Sequence, residues 1–249
     1  ISSSMNYKSL ILKVGKRMIK GNIDSYETMG LVDGPGVRFV VFMQGCPLRC
    51  AYCHNPETWL DQTKIQMTPE ELVKKILKYK TYFGDDGGVT FSGGEPLHQP
   101  EFLLEALKEC KKNGINTCLD TSGFGDNYDE ILDYCDLVIL DVKEFDAEKY
   151  KKLTGQPIDK FYAFLNKCQE KGVKMWFRQV ILPHYNDTPE SVLKLKDFAS
   201  KCQNVEKVEL LPYHSMAKEK YKKLGIKYRL ENLEDMNKER CRELEKLLK

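Results

Sequence analysis

The sequence of 249 residues has no apolar run that approaches the length of a membrane-spanning helix. It also has little excess charge, because 39 Lys and Arg residues against 37 Asp and Glu residues leave a formal net charge of +2 at pH 7. Such a balance favours neither a nucleic-acid partner nor an anionic membrane surface. We therefore expect no membrane and no nucleic-acid partner, and we predict a monomer.

The nine cysteines are too few and too scattered for a disulfide scaffold. Only three are closely spaced, and the others stand singly along the chain as expected for reduced core or surface thiols. This pattern suits a reducing compartment, so we predict a cytoplasmic location. The single cysteines are Cys110, Cys118, Cys135, Cys168, Cys202 and Cys241.

No linker, internal repeat or low-complexity tract divides the chain, which indicates one domain over residues 23–249. The first twenty residues carry five basic side chains and no acidic one. Their apolar segment is too short for a signal peptide. We interpret residues 1–22 as a basic N-terminal extension, a candidate for disorder, and residues 23–35 as a loop.

Six apolar, β-rich runs alternate with amphipathic helical patterns, the first of them opened by a capping box at Thr68 and Glu71. Strand followed by helix six times predicts a parallel sheet with right-handed crossovers, an α/β fold of the partial (β/α)6 barrel type. Polar residues follow the strand ends, where such barrels place their active sites. The predicted strands are 37–43, 89–92, 116–120, 137–141, 173–182 and 205–211.

The densest motif is the C-x3-C-x2-C spacing of Cys46, Cys50 and Cys53. Thiolates at this spacing can converge on a soft metal centre, but a structural zinc site or an ordinary ferredoxin cluster needs four ligands. The next cysteine, Cys110, is far along the chain. Three thiolates on a four-iron cube leave one iron open to a small molecule. A zinc knuckle, a disulfide pair with a spare thiol and a chance spacing remain as alternatives.

With Tyr52 directly before the third cysteine, the motif resembles that of the radical S-adenosylmethionine (SAM) family. The resemblance implies a [4Fe-4S] cluster on Cys46, Cys50 and Cys53, with the open iron chelated by the amino and carboxylate groups of SAM. In that family an electron from the cluster cleaves the sulfonium and gives methionine and a 5′-deoxyadenosyl radical. The chain is then an oxidoreductase whose catalytic residues include the three cysteines.

Residues at later strand ends match further motifs of this family. By resemblance, Gly93, Gly94 and Glu95 hold the methionyl ammonium of SAM, and Lys143 binds its carboxylate. The alternative for each is a purely structural role, as a simple strand-to-helix turn or a salt bridge at the barrel mouth. The remaining residues implied in SAM binding are Tyr52, Cys53, His54, Asp120, Asp141, Val142, Arg178 and His214. A monovalent cation is implied at Asp120, Thr121 and Asp141.

Sequence blocks between Asp33 and His214 resemble the activases of glycyl-radical enzymes within this family. Related activases carry a cysteine-rich insert between the first motif and the GGE motif, whereas residues 55–92 contain no cysteine here. This absence favours the activases whose protein substrate is pyruvate formate-lyase. The implied reaction abstracts hydrogen from the α-carbon of a backbone glycine, with reduced flavodoxin or ferredoxin as electron donor.

Several other functions compete with this interpretation. One alternative is that the partner is a different glycyl-radical enzyme. Another is that the substrate is a small molecule, for which a buried site is expected rather than an open mouth. An electron-transfer or iron-sulfur scaffold protein, or a structural metal module, does not need the polar groups after four of the strands. Those groups therefore favour an enzyme.

Overall fold

A computed structural model describes residues 18–60 and 62–249, and residues 1–17 of the predicted extension lie outside this part of the chain. Eight strands form one sheet of order β3-β1-β2-β4-β5-β6-β7-β8. The strands are β1 (Gly21–Gly30), β2 (Arg38–Met43), β3 (Ile65–Met67), β4 (Gly88–Gly93), β5 (Asn116–Thr121), β6 (Leu137–Asp141), β7 (Met175–Ile181) and β8 (Val205–Pro212).

Strands β2 and β4 to β8 are parallel and neighbour one another in chain order. This arrangement confirms the predicted partial barrel of six strand-helix units. It also brings the carboxyl ends of the six strands to one edge. The helices are α1 (Pro69–Ile76), α2 (Pro100–Lys112), α3 (Asp129–Leu132), α4 (Ala147–Thr154), α5 (Asp159–Glu170), α6 (Pro189–Ser200), α7 (Lys218–Lys223) and α8 (Lys238–Glu245).

Local sequence explains where two of these helices begin and end. The predicted capping box of α1 is present, since the Thr68 side chain accepts from the Glu71 amide while the Glu71 side chain accepts from the Thr68 amide. Helix α2 ends before Gly114, whose φ of 63° is the left-handed conformation that glycine adopts at low cost. None of the described helices has the length and apolar character needed to cross a membrane.

The predicted loop at residues 23–35 is wrong for its first half, because β1 extends to Gly30 and pairs antiparallel with β2 and β3. Polar residues such as Asp24 and Glu27 interrupt the apolar pattern, so the sequence does not indicate a strand here. Pairing with two neighbouring strands stabilises β1 more than burial does. The predicted domain boundary after residue 22 falls within β1, which begins at Gly21.

The two faces of the sheet differ in chemistry. Residues such as Phe91, Leu119 and Leu140 pack in one core cluster with the apolar faces of the helices. The opposite face carries only a small apolar cluster around Cys118 and Ile139. Because side chains alternate along a strand, the polar residues of the barrel interior lie on this second face. The interior is thus free for a site at the carboxyl ends of the strands.

Candidate functional site

A cavity of about 490 Å³ opens at the carboxyl ends of the parallel strands. Its volume falls in the usual range of small-molecule sites. Loops that follow six different strands contribute to its wall, so the residues meet only in the folded chain. Of the residues predicted from the sequence, the wall contains Cys46, Cys50, Tyr52, Cys53, His54, Gly93, Gly94, Asp120, Thr121, Asp141, Lys143, Arg178 and His214.

The loop of residues 45–55 after β2 carries the three cysteines, and backbone hydrogen bonds fix it to α4. The Arg49 amide donates to the Thr154 carbonyl at 2.7 Å, and the Ala51 amide donates to the Leu153 carbonyl at 2.9 Å. The Arg229 guanidinium donates to the Arg49 carbonyl at 3.1 Å. The thiols are therefore held by segments more than a hundred residues away.

The three thiols are free, as are the six other cysteines. Burial raises the pKa of each, to about 12 for Cys53, and Cys50 raises the pKa of Cys46 and Cys53 further. Because a neighbouring thiolate raises these pKa values, three thiolates here would repel one another unless a positive group lay between them.

Three cysteines in one cavity wall are a ligand set compatible with an iron-sulfur cube. Within residues 18–60 and 62–249, no group of three or more His, Cys, Asp or Glu side chains is placed to hold one metal ion. In a four-iron cube each thiolate binds a different iron, so the sulfurs surround the group instead of meeting at one point. The three cysteines of one cavity wall suit that geometry.

The turn after β4 packs directly on the turn after β2. The Gly94 amide donates to the Met43 carbonyl at 2.9 Å, and the Glu95 amide donates to the Gly45 carbonyl at 3.0 Å. A Cβ on Gly94 would lie 2.3 Å from the Gly45 oxygen. Glycine at this position lets the two loops approach and leaves backbone groups of the turn bare.

We expect Gly94→Ala to destabilise the protein by about 1–3 kcal/mol, because the methyl group forces the two turns apart. Urea unfolding measures this cost, and SAM binding to the cluster-loaded protein should weaken in parallel. The control is Gly225→Ala, where a Cβ meets nothing within 4 Å although φ is 64°. Gly225→Ala therefore reports only the cost of alanine at a positive φ, about 1–2 kcal/mol. A wild-type unfolding free energy in Gly94→Ala would contradict the close packing.

Two of the predicted residues do not line the cavity. Glu95 is 1% exposed, and its carboxylate accepts from the Thr121 hydroxyl at 2.6 Å and from the Ser122 amide at 2.9 Å. It thus ties the turn after β4 to the turn after β5. The side chain of Val142 is fully buried in the core, and its amide donates to the Arg178 carbonyl at 2.8 Å.

A partly buried ion pair joins Asp141 to Lys143 at 2.8 Å. Burial alone would lower the pKa of Lys143, but Asp141, Tyr52 and Cys50 together raise it well above its ordinary value. The ammonium lies 5.7 Å from the centre of the Tyr52 ring. A fixed cation therefore faces the cavity next to the cysteine loop.

A second charged group centres on Asp120, which accepts from the Ser92 hydroxyl at 2.7 Å. The pKa of Asp120 is raised to about 6, mainly by burial. The Arg178 guanidinium 3.7 Å away lowers this pKa, and Asp141 raises it. Arg178 also donates to Glu209 at 3.2 Å and to the Val32 carbonyl at 2.9 Å. It thereby joins β7, β8 and the loop after β1.

His54 and His214 meet edge to face, with ring centroids 4.0 Å apart. Burial, and then His214, lower the pKa of His54 to about 4, so this ring is neutral at pH 7. Nδ1 of His214 is buried without a hydrogen-bond partner among the described residues. The residue lines the cavity, but this atom is covered by protein.

The cavity wall includes residues to which the sequence analysis gave no role, among them Asp33, Trp59, Ser92 and Ser122. Ser92 occupies the penultimate position of β4. It could have been predicted, because polar residues at strand ends form the site. Asp33 had no such signal, because the strand before its loop was not recognised. Burial raises the pKa of Asp33, and Arg178 lowers it.

Comparisons with known proteins agree with this geometry. The model of the radical SAM superfamily matches residues 40–198. A pyruvate formate-lyase-activating enzyme from Clostridium pasteurianum is 53% identical over 234 residues, covering 93% of this chain and 98% of that protein. Another from Staphylococcus epidermidis is 45% identical over 236 residues, covering 91% and 94%.

A solved structure shows the same similarity at the level of the fold. The crystal structure of a domain of pyruvate-formate lyase-activating enzyme from Bacteroides vulgatus superposes with a TM-score of 0.52 at 25% identity. It covers 65% of this chain and 92% of that one. The chain therefore belongs to the radical SAM superfamily and, within it, to the family of pyruvate formate-lyase-activating enzymes.

Proposed function

We propose that this protein cleaves SAM reductively and abstracts a hydrogen atom from a backbone glycine of pyruvate formate-lyase. One observation carries the proposal: the three motif cysteines and the Asp141–Lys143 pair face the same open cavity. The homologues named for this activity match almost the whole chain, which supports the choice of protein substrate.

Cys46, Cys50 and Cys53 are proposed as the ligands of three irons of a [4Fe-4S] cluster. When bound, the reduced cluster and SAM supply the 5′-deoxyadenosyl radical that takes the glycine hydrogen. The chain itself orients the reactants and excludes water and oxygen. Its rigid cysteine loop, fixed by α4 and Arg229, serves that orientation.

SAM carries an ammonium and a carboxylate at its methionyl end, and the cavity offers a partner for each. Lys143 is proposed to bind the carboxylate, and bare backbone groups of Gly93 and Gly94 the ammonium. Glu95 acts indirectly, since it holds the turn at Thr121 and Ser122. The adenosyl part is proposed to lie against Tyr52, Cys53, His54, Asp141, Val142, Arg178 and His214, with Val142 offering backbone atoms alone.

A monovalent cation is proposed beside the SAM carboxylate, at Asp120, Thr121 and Asp141. The support is the repulsion between the carboxylates of Asp120 and Asp141, since Asp141 raises the pKa of Asp120. A cation between them would relieve that repulsion. SAM affinity should then be higher in potassium or sodium than in tetramethylammonium, and equal affinities in all three would contradict the cation.

The protein substrate is proposed to dock at the cavity mouth. Val32 and Leu211 line the cavity yet are 77% and 38% exposed, and Leu31 beside them is 72% exposed. Exposed apolar side chains around an open site fit an extended peptide segment better than a small polar substrate. This feature favours an activase over the small-molecule alternative.

The electron donor is proposed to be a reduced flavodoxin or ferredoxin that docks on a basic surface beside the cysteine loop. Arg49 and Lys152 are exposed there, and the Arg229 guanidinium bonds the carbonyls of both. Helix α7 lies against the same loop and exposes Lys222 and Lys223. In the described part of the chain, neither of these two lysines pairs with an acidic side chain.

We expect the double variant Lys222→Glu and Lys223→Glu to cut SAM cleavage driven by reduced flavodoxin about tenfold at low salt, because the surface loses its attraction for an acidic partner. Cleavage driven by dithionite should be unchanged. The control is Lys74→Glu in α1 with Lys78→Glu in the turn that follows it, exposed residues outside the cavity wall, which makes the same charge change. Equal flavodoxin rates in both variants would place the donor elsewhere.

A cytoplasmic monomer stays a prediction. The nine free thiols support a reducing compartment. Sedimentation equilibrium of the cluster-loaded protein tests the oligomeric state.

A labelling experiment tests the reaction itself. Pyruvate formate-lyase made with α-deuterated glycine is incubated anaerobically with the reduced, cluster-loaded protein and SAM. We expect deuterium in the methyl group of 5′-deoxyadenosine. If SAM is cleaved without deuterium transfer, the SAM chemistry stands and the proposed protein substrate is wrong.

A further inference from the structure

The buried side chain of Tyr221 in α7 contacts the backbone of the cysteine loop. Its hydroxyl donates to the Cys53 carbonyl at 3.2 Å, and the residue is 2% exposed. Two aromatic rings hold the Tyr221 ring, with centroids 5.6 Å away for Trp59 and 4.6 Å away for Tyr228. Because this packing fixes the ring, it also fixes the direction of the hydrogen bond. The sequence analysis gave Tyr221 no role.

The residue before Tyr221 binds the segment that follows Cys53. The Lys220 ammonium donates to Asn55 Oδ1 and to Glu57 Oε1, each at 2.7 Å. Helix α7 therefore holds the chain on both sides of residue 54. The amide of His54 itself donates to no acceptor within the part of the chain that the structure describes.

The peptide unit between Cys53 and His54 is planar and trans. In such a unit the carbonyl and the N–H point in opposite directions. Cys53 and His54 both line the cavity, whereas Tyr221 is not part of its wall. A Cys53 carbonyl that points to Tyr221 therefore leaves the His54 N–H pointing toward the cavity.

We propose that Tyr221 positions the His54 N–H as a hydrogen-bond donor to the adenosyl part of SAM. The inference rests on the proposed function in placing the adenosyl part against Cys53 and His54. The ring nitrogens of adenine are acceptors that a backbone N–H can meet. Without the Tyr221 hydroxyl, the Cys53 carbonyl loses its partner and the peptide unit is free to turn. Tyr221 is thus a positioning residue that acts through His54.

The test uses two probes that represent different parts of SAM, each titrated calorimetrically into cluster-loaded Tyr221→Phe. 5′-Deoxyadenosine contains the adenosyl part alone. S-methylmethionine contains the ammonium, the carboxylate and a sulfonium but no adenosyl group. We expect the affinity for 5′-deoxyadenosine to fall about three- to tenfold, as for the loss of one hydrogen bond between neutral groups. The affinity for S-methylmethionine should stay that of the wild type.

The matched control is Tyr228→Phe, which removes a buried hydroxyl from the same aromatic cluster. Tyr228 is 4% exposed, and among the described residues its hydroxyl bonds only that of Tyr213, at 2.7 Å. This variant should bind both probes like the wild type. Wild-type affinity for 5′-deoxyadenosine in Tyr221→Phe would overturn the inference. So would an equal loss for both probes, or an equal loss in both variants, because either would show a role in packing alone.

A second measurement needs no variant and decides the case if Tyr221→Phe binds no cluster. Hydrogen exchange of the His54 amide is followed in the wild type by mass spectrometry with fragmentation to single residues. Bound 5′-deoxyadenosine should slow this exchange, and an unchanged rate would overturn the inference. Neither measurement needs turnover or the protein substrate, so failure to form a glycyl radical would count against the proposed function alone.

Discussion

Replacing Cys50 by alanine will remove the iron-sulfur cluster and with it the cleavage of SAM. Cys50 is the most buried of the three motif thiols, and the other two are too few to hold a cube. Removing a residue that only supports a metal ligand lowers metal affinity about 10- to 100-fold, and removing a direct ligand should lower it more. We therefore expect the affinity for iron to fall more than about 100-fold. Iron and sulfide analysis of the reconstituted protein measures this.

The control for this prediction is Cys202→Ala. Cys202 is half-buried, is also a free thiol and does not line the cavity. It should retain the iron content and the activity of the wild type. Full iron and sulfide in Cys50→Ala, with the spectrum of the wild type, would contradict the ligand assignment.

Replacing Lys143 by methionine will weaken SAM binding by about 10- to 100-fold, since a hydrogen bond to a charged group contributes about 1.5–3 kcal/mol. Lys143 is 9% exposed, and Asp141 holds its ammonium in place at the cavity before any ligand arrives. Isothermal titration of SAM into the cluster-loaded protein gives the affinity. The cluster itself should load normally, because no cysteine changes.

Removing Lys143 also leaves Asp141 without its partner, which complicates the result. The Asp141 side chain is 30% exposed, so water can reach it and the fold should persist. The double variant Lys143→Met with Asp141→Asn removes the stranded charge and should still bind SAM weakly. Lys149→Met, an exposed change on α4, should bind like the wild type. Wild-type SAM affinity in a folded, loaded Lys143→Met would contradict the role of Lys143.

Much of the fold was predictable from the sequence because five of the six parallel strands are mostly buried, the edge strand β8 being the exception. Their apolar runs, such as Leu137–Asp141, are visible without any knowledge of contacts. Strand β1 was not predictable, since it is half-exposed and rich in polar residues. Its pairing with β2 and β3 depends on segments distant in sequence.

Most of the residues predicted for the site line one cavity, but their geometry was not predictable. Polar residues after strand ends must gather at one edge of a parallel sheet, which explains why Asp120, Asp141 and Arg178 share the cavity. The sequence could not show that Glu95 turns away from that cavity to cap the next turn. Nor could it show that the end of α4 holds the cysteine loop through backbone hydrogen bonds.

The most direct test of the central claim is an anaerobic paramagnetic resonance spectrum of pyruvate formate-lyase after incubation with the reduced, cluster-loaded protein and SAM. The account predicts a glycyl-radical doublet, with one 5′-deoxyadenosine formed for each radical. A sample with a verified, reduced cluster that cleaves no SAM and shows no doublet would contradict it.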